Sequence, residues 1–361
     1  MRRVFVLLLI AWCVPAIAQR QTLGERDVHA VENILSETMT ANHITGASIG
    51  IVMNGQIVWT HGYGMSDLEG NVVARDTTEY RLGSISKPIS AVAAMTLVEQ
   101  HKLDLDVPIQ KYCPAFPQKQ APITTRQLLS HTSGIRHYKP QDPDVEHGAE
   151  ETRHFNSIND ALAKFANDPL EFAPGSKFGY STYGYTVVGC VIEGASGEKF
   201  FDYLHDTVLK PAGMEHTLVD NLQAVIPDRT RYYDQIDGKV INAGLMDSSY
   251  KVPGGGLISS VDDMSEFMVA MMKNKVLSAD TTALMWTPVT KMEGNRGYGL
   301  GFGMFELNGM KAVAHSGAQK GTSTTMLMIP EKQFGVVILT NMESEGALSK
   351  ATNEIVAALL K

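Results

Sequence analysis

The sequence has no His-Glu-x-x-His, no Cys-x-x-Cys and no Walker-type loop, so it shows neither a metal-binding motif nor a phosphate cradle. No metal and no cofactor is expected on that ground. Positive charge is in short supply: 31 Lys and Arg stand against 39 Asp and Glu, a formal net charge of −8. That balance disfavours nucleic acid and anionic membrane surfaces as partners. The apolar run Val4 to Val14 is too short to cross a bilayer, and no other run reaches that length, so no membrane span is expected. Cysteine is rare: Cys13, Cys113 and Cys190 are all there is. No repeat and no low-complexity tract interrupts the chain.

What is present begins with Arg2 and Arg3, the Val4–Val14 run, and the small residues Ala16-Ile17-Ala18. Residues 1–18 thus read as a secretory signal peptide, and the protein is expected to be exported, to a periplasm or the extracellular space. Trp12 stands before Cys13 where a lipid anchor would want a small residue. Without Arg2 and Arg3 the remainder holds 29 basic against 39 acidic residues, a net charge of −10. In an oxidising compartment Cys113 and Cys190 are compatible with a disulfide and equally with two buried thiols. Residues 19–361 suffice for one large domain or two smaller ones.

Along the chain, Val31, Ile34, Leu35 and Met39 carry a helical period over Val28–Thr40. Ala47–Met53 and Gln56–Thr60 flank Asn54-Gly55, a strong hairpin signal. Helical patterns follow at Ile89–Val98, from Thr124 or Thr125 to Gly134, and at Ile158–Phe165, Tyr185–Ile192 and Phe200–Leu209, the last ended by Pro211 and Gly213. His137 to His154 is a polar loop, 221–252 is irregular, and Ser260 or Asp262 starts a helix through Met272. Strand patterns return at Leu300–Leu307, Lys311–His315, Thr322–Ile329 and Phe334–Thr340, before a closing helix Leu348–Leu360. Strands at both ends with helices between predict an α/β fold whose antiparallel sheet is built from both chain ends, about 26–75 and 295–361. Helices flank it, and a mostly helical region occupies about 80–290.

Three Ser-x-x-Lys tetrads occur. Ser196–Lys199 is boxed by glycines and reads as a turn. Ser248–Lys251 runs into Val252-Pro253-Gly254-Gly255-Gly256, which is not expected to open a helix. Only Ser84–Lys87 follows a strand and opens a helix, with Pro88 in the first turn where a missing N–H costs least. Both side chains then face one side of that turn, as a nucleophile and its base must. The plainer reading makes Ser84 a helix N-cap. Gly46-Ala47-Ser48-Ile49-Gly50 matches the Gly-x-Ser-x-Gly nucleophile elbow, but it continues as a strand instead of turning into a helix, so Ser48 reads as a strand residue. The serines beside His131 read as structural.

Taken in order, Ser84-x-x-Lys87, Tyr180-Ser181-Thr182 and His315-Ser316-Gly317 resemble the three active-site elements of serine β-lactamases of the class C type. Related D,D-peptidases and esterases share them. Leu128–Gly134, Pro174-Gly175, Pro211–Met214 and Gly254–Leu257 add to the resemblance, which spans Val28 to Leu360. It implies a β-lactamase/transpeptidase-like fold and acyl transfer through an acyl-enzyme. Ser84 would be the nucleophile, and Lys87 and Tyr180 would share the base role. An amine or a phenol can act as that base only if its pKa falls, which desolvation would do for Lys87 and nearby cations for Tyr180. The N–H groups of Ser84 and Ala318 would form the oxyanion hole. Thr182, His315, Ser316 and Gly317 would bind substrate, Gly317 by letting its backbone come close and His315 by bonding Tyr180 or a substrate carboxylate. One position departs from the penicillin-hydrolysing pattern: Thr182 replaces an asparagine whose amide holds the substrate's amide arm. His315 stands where many relatives carry lysine, and histidine there is common in the esterase and peptidase-like branches.

The expectation is therefore a secreted serine hydrolase acting on an ester, an amide or a small peptide. A true β-lactamase or D,D-peptidase is the alternative within the class, and a non-catalytic binding or scaffold protein the alternative outside it. The intact Ser84, Lys87 and Tyr180 oppose the latter.

Overall fold

The computed structural model describes residues 22–139, 152–292, 294–344 and 346–360. The expected signal peptide, and the polar loop from 140 to 151, lie outside the described residues. The first helix, α1 (Glu25–Ala41), carries Glu25 and Asp27 in its first turn, where carboxylates complement the helix dipole, and buries Val31 and Leu35 one turn apart. The hairpin β1 (Gly46–Met53) and β2 (Gln56–Asp67) turns on Asn54 and Gly55, both at positive φ as a two-residue hairpin requires. Strand β2 runs past the expected Thr60 to Asp67 and pairs β3 (Val72–Val73).

After β4 (Tyr80–Arg81), a 3₁₀ turn at Gly83–Ile85 feeds α2 (Ser86–Glu99). That helix is buried from Ser86 to Leu97 without a break, the fate of a helix that is apolar all round. Ser84 caps nothing: the start of α2 has no side-chain cap. A capping box of Thr124 and Gln127 opens α3 (Thr125–Leu129), which stops well short of Gly134 because His131 takes the left-handed position, φ +56°, at its end. The helical region continues with α4 (Ile158–Leu162), α5 (Thr182–Ser196) and α6 (Phe200–Leu204). Gly197 at φ +78° ends α5, so Ser196 is the last residue of that helix and Lys199 stands just before α6, with the expected turn between them. Helix α6 does not stop at Pro211; it widens into a π turn over His205–Leu209, which tolerates the missing proline N–H, and runs on as α7 (Lys210–Ala212).

The stretch 221–252 is more regular than its sequence suggests. After β5 (Leu218–Val219) comes a hairpin, β6 (Tyr233–Ile236) and β7 (Lys239–Asn242), turning on Asp237-Gly238. Asp-Gly is a hairpin signal as good as Asn-Gly, so this element is legible in the sequence. The tetrad Ser248–Lys251 does lead into a helical turn, α8 (Val252–Gly255), because Pro253 sits in its opening residues, where proline is tolerated. Then come β8 (Leu257–Ser259), α9 (Val261–Met272) capped by Ser260, and α10 (Ala279–Met285). The C-terminal strands are β9 (Thr290–Lys291), β10 (Gly297–Tyr298), β11 (Gly303–Leu307), β12 (Met310–Gln319), β13 (Thr322–Ile329) and β14 (Phe334–Thr340), closed by α11 (Ala347–Leu359).

The nine-stranded sheet runs β3-β2-β1-β14-β13-β12-β11-β10-β9, and its pairs are antiparallel. The expected joining of the two chain ends is the β1–β14 ladder, Ala47 opposite Thr340 through Val52 opposite Gly335. Strand β14 is buried on both faces: Phe334, Val336 and Ile338 enter the core under α1 and α11, and Val337 and Leu339 enter the larger core of the helical region. The Gly46–Gly50 pattern serves this packing. A Cβ on Gly50 would stand 2.2 Å from Ser265 Oγ on α9, and Ser48 is fully buried with Oγ 2.7 Å from the Arg75 carbonyl. Cys113 and Cys190 form a disulfide that ties the segment before α3 to α5.

Candidate active site

Ser84 lies in the 3₁₀ turn where β4 hands over to α2, and Lys87 is in the first turn of α2. Gly83 bends the chain there at φ +53°. Strand β12 presses on this bend from the sheet side. A Cβ on Gly317 would stand 2.1 Å from the Leu82 carbonyl and 3.0 Å from Ser84 N, so the strand can approach only without a side chain. Gly317 thus gives close approach to the Ser84 turn. Thr324 Oγ1 pins the same turn by donating to the Leu82 carbonyl at 2.8 Å. Gln319 and Thr322 flank a two-residue turn, which makes Ala318–Ser323 a non-hydrogen-bonded pair and aims the Ala318 N–H away from β13. The β11–β12 pairing ends at Ala314, so Ser316 to Ala318 form an open strand edge beside Ser84.

Lys87 is fully buried, with Nζ 3.0 Å from Ser84 Oγ, 3.0 Å from Thr182 Oγ1 and 2.6 Å from the Gly254 carbonyl. Burial, and then the charge of Lys251, hold its pKa well below that of an ordinary lysine. A neutral amine fits these three neighbours: two N–H bonds go to Gly254 and Thr182, and the lone pair accepts the Ser84 hydroxyl. The Gly254-Gly255-Gly256 run permits the arrangement. A Cβ on Gly254 would collide with Thr182 Cγ2 at 2.8 Å, and one on Gly256 would meet Val252 Cα at 2.7 Å.

Tyr180 comes just before α5, which Ser181 caps by accepting from Gly184 N–H. Its hydroxyl is hydrogen-bonded to Ser84 and Thr182, and Lys87 Nζ stands 4.8 Å above its ring. Burial raises its pKa above the ordinary phenol value, and the bonds to Ser84 and Thr182 only partly oppose this. The downward push expected from nearby cations is therefore reversed for Tyr180, since no charge beside it outweighs desolvation. Thr182 is buried and its hydroxyl already serves Lys87 and Tyr180, so it is placed to hold those two side chains more than to reach substrate.

His315 does not bond Tyr180. Its Nε2 is 3.0 Å from the Tyr298 hydroxyl and its Nδ1 is 2.7 Å from the Ser316 carbonyl, so Nδ1–H donates to that carbonyl and Nε2 accepts from Tyr298. Burial, with Lys87 as a second cause, pushes its pKa down to about 3. The imidazole is neutral at neutral pH and brings no cation for a substrate carboxylate.

Three contributors escape a reading of the sequence. His131 packs on the Tyr180 ring at 4.3 Å and accepts the Ser181 N–H at 3.1 Å, which fixes the backbone just past Tyr180. Tyr298 orients His315. Lys251 is buried, with its stem against Gly255 and its ammonium over Tyr138 and Tyr250, and acts on Lys87 by charge. The Ser-x-x-Lys spacing draws attention to Lys251, but for a role it does not have. Among the described residues no cluster of His, Cys, Asp and Glu could hold a metal ion, and no helix is long and apolar enough to cross a membrane.

The family model described as Beta-lactamase matches residues 31–361. The chain is 30% identical to the human mitochondrial protein "Serine beta-lactamase-like protein LACTB", over 85% of this chain and 75% of that one. Among solved structures, the octameric penicillin-binding protein homologue from Pyrococcus abyssi superposes with a TM-score of 0.79 at 27% identity, covering 92% of this chain and 77% of that one. EstCE1, a hydrolase with promiscuous acyltransferase activity, superposes at 0.78 and 23% identity, covering 93% and 98%, and so shares the fold. With a family match running from α1 to the C-terminus, and the Ser84, Lys87 and Tyr180 side chains gathered at one point of that fold, the chain belongs to the beta-lactamase family of serine hydrolases.

Proposed function

We propose that this hydrolase cleaves small esters through an acyl-enzyme on Ser84, with neutral Lys87 as the base and Tyr180 as the acid toward the leaving group. The observation that carries the reading is the buried amine of Lys87, held between Ser84, Thr182 and the Gly254 carbonyl. Lys87 takes the Ser84 proton as Oγ attacks the carbonyl carbon. The oxyanion is received by the N–H groups of Ser84 and Ala318, on the two segments that Gly317 lets touch. The departing oxygen takes a proton from the Tyr180 hydroxyl. The Thr182 hydroxyl touches both Lys87 and Tyr180, so it can pass the proton from one to the other. Water then attacks the acyl-Ser84 along the same route in reverse.

Preference for esters over β-lactams rests on two side chains. Thr182 is buried with its hydroxyl engaged by Lys87 and Tyr180 and lacks the amide that would hold an amide arm, and His315 is neutral where a substrate carboxylate would want a charge. Export is part of the proposal, supported by the composition of residues 1–18 and the Cys113–Cys190 disulfide. The test is kcat/KM for short-chain p-nitrophenyl esters, nitrocefin and D-Ala-D-Ala peptides. We expect the esters to lead, and a fluorophosphonate probe to label Ser84. Labelling of Ser48, or a lead for nitrocefin, would overturn the reading.

A further inference from the structure

A cavity of about 490 Å³, with Tyr180 in its lining, opens between β10, β11, β12 and α11. That is a volume suited to a small-molecule group. Its catalytic end is formed by Tyr180, His315 and Ser316. Most of the exposed wall is apolar, from Phe178, Met292, Tyr298, Met304, Phe305 and Leu327, and Thr325, Ser349, Thr352 and Asn353 add neutral polar groups. Among its described lining residues Arg296 is the one formally charged side chain, and it is exposed, on the loop between β9 and β10. His315 adds no charge, being neutral and bonded to Tyr298.

Which arm of the substrate enters follows from the chemistry. Tyr180 gives its proton to the departing atom, so the space beyond Tyr180 receives the leaving group; this step rests on the function proposed above. A largely apolar chamber with one exposed guanidinium in its lining suits an apolar body that carries an anion. We infer that Arg296 selects leaving groups bearing a distal carboxylate: an alcohol or phenol whose apolar body fills the cavity while its acid reaches Arg296. The bond broken is the ordinary acyl–oxygen bond, and the released fragment is a hydroxy acid.

The test uses two butyryl esters of matched phenols, one of 4-hydroxyphenylacetic acid and one of its neutral primary amide. Wild-type kcat/KM should favour the carboxylate about two- to fivefold at low salt, the scale of an exposed charge pair, and the advantage should shrink at about 0.5 M salt. Arg296→Gln should bring the ratio of the two substrates to about one, Arg296→Lys should keep part of the preference, and Arg296→Glu should invert it. A wild-type ratio near one, or a ratio unchanged in Arg296→Gln, overturns the inference. Persistence of neutral-ester hydrolysis in Ser84→Ala would instead overturn the nucleophile assignment, so the two failures are distinguishable.

Discussion

Two Ser-x-x-Lys tetrads converge on one place in this molecule, and they ended up with opposite jobs. At Ser84–Lys87 the amine lies 3.0 Å from the hydroxyl, and Ser84 is partly open to solvent on a bend that Gly83 makes possible. At Ser248–Lys251 the serine is fully buried with no hydrogen-bond partner for Oγ among the described residues, and the lysine turns toward Met246 Sδ and two tyrosine rings. Equal spacing therefore does not make a nucleophile. What separates the two is access for a carbonyl, and a set of acceptors that leaves the amine's lone pair for its serine. The second tetrad still bears on the chemistry, because the charge on Lys251 helps keep Lys87 unprotonated.

The strongest way to break this contrast is to delete each serine. Ser84→Ala should lower ester turnover by about 10³ or more, the loss expected when a nucleophile goes. Its thermal unfolding should barely move, since Ser84 caps no helix. Ser248→Ala should leave turnover within about twofold and stability equal or slightly higher, because an unpaired buried hydroxyl is a cost of about 1 to 3 kcal/mol. If Ser248→Ala were the inactive variant, the two tetrads would have to exchange roles. Next in size, Tyr180→Phe should cut kcat by about 10² while KM changes little. A smaller loss, about tenfold in kcat, is expected for Thr182→Val, with Thr182→Ser close to wild type because it keeps the hydroxyl between Lys87 and Tyr180. Equal rates in Thr182→Val and wild type would remove Thr182 from the proton route.

The subtlest comparison concerns Lys251. Around Lys87 stand Lys251, Tyr180, Tyr185, His131 and His315; burial keeps the tyrosines and histidines neutral, so Lys251 is the charge that matters. Removing it as Lys251→Met should raise the Lys87 pKa. The active form is the free amine, so the acidic limb of kcat/KM should move to higher pH, and Lys251→Arg should leave it where it is. A limb that stays put in Lys251→Met would show that burial alone sets Lys87.

The sheet is legible in the sequence because its strands are buried runs with turn residues between them: Asn54-Gly55 and the Phe334–Thr340 run need no knowledge of the rest of the chain. Ser84, Lys87 and Tyr180 are legible through the resemblance of Ser84-x-x-Lys87 and Tyr180-Ser181-Thr182, in that order, to active-site elements of serine β-lactamases. What stays hidden depends on partners far away in the chain. Nothing local says that His315 would bond Tyr298 and not Tyr180, or that Gly317 makes room for the Leu82 carbonyl. Burial reverses the expected push on Tyr180, and burial is a property of the assembled site. The disulfide between Cys113 and Cys190 belongs to the same group, since 77 residues separate its halves.

The central claim is that Lys87 is a neutral base at the nucleophile, and a titration of that one side chain tests it most directly. With ¹³C at the lysine ε-carbons, the Lys87 resonance can be assigned by its loss in Lys87→Ala and followed with pH. The account predicts a titration well below the 10.5 of an ordinary lysine, moving upward in Lys251→Met. A Lys87 that titrates at 10.5 or above, in an enzyme that hydrolyses esters at neutral pH, would contradict it.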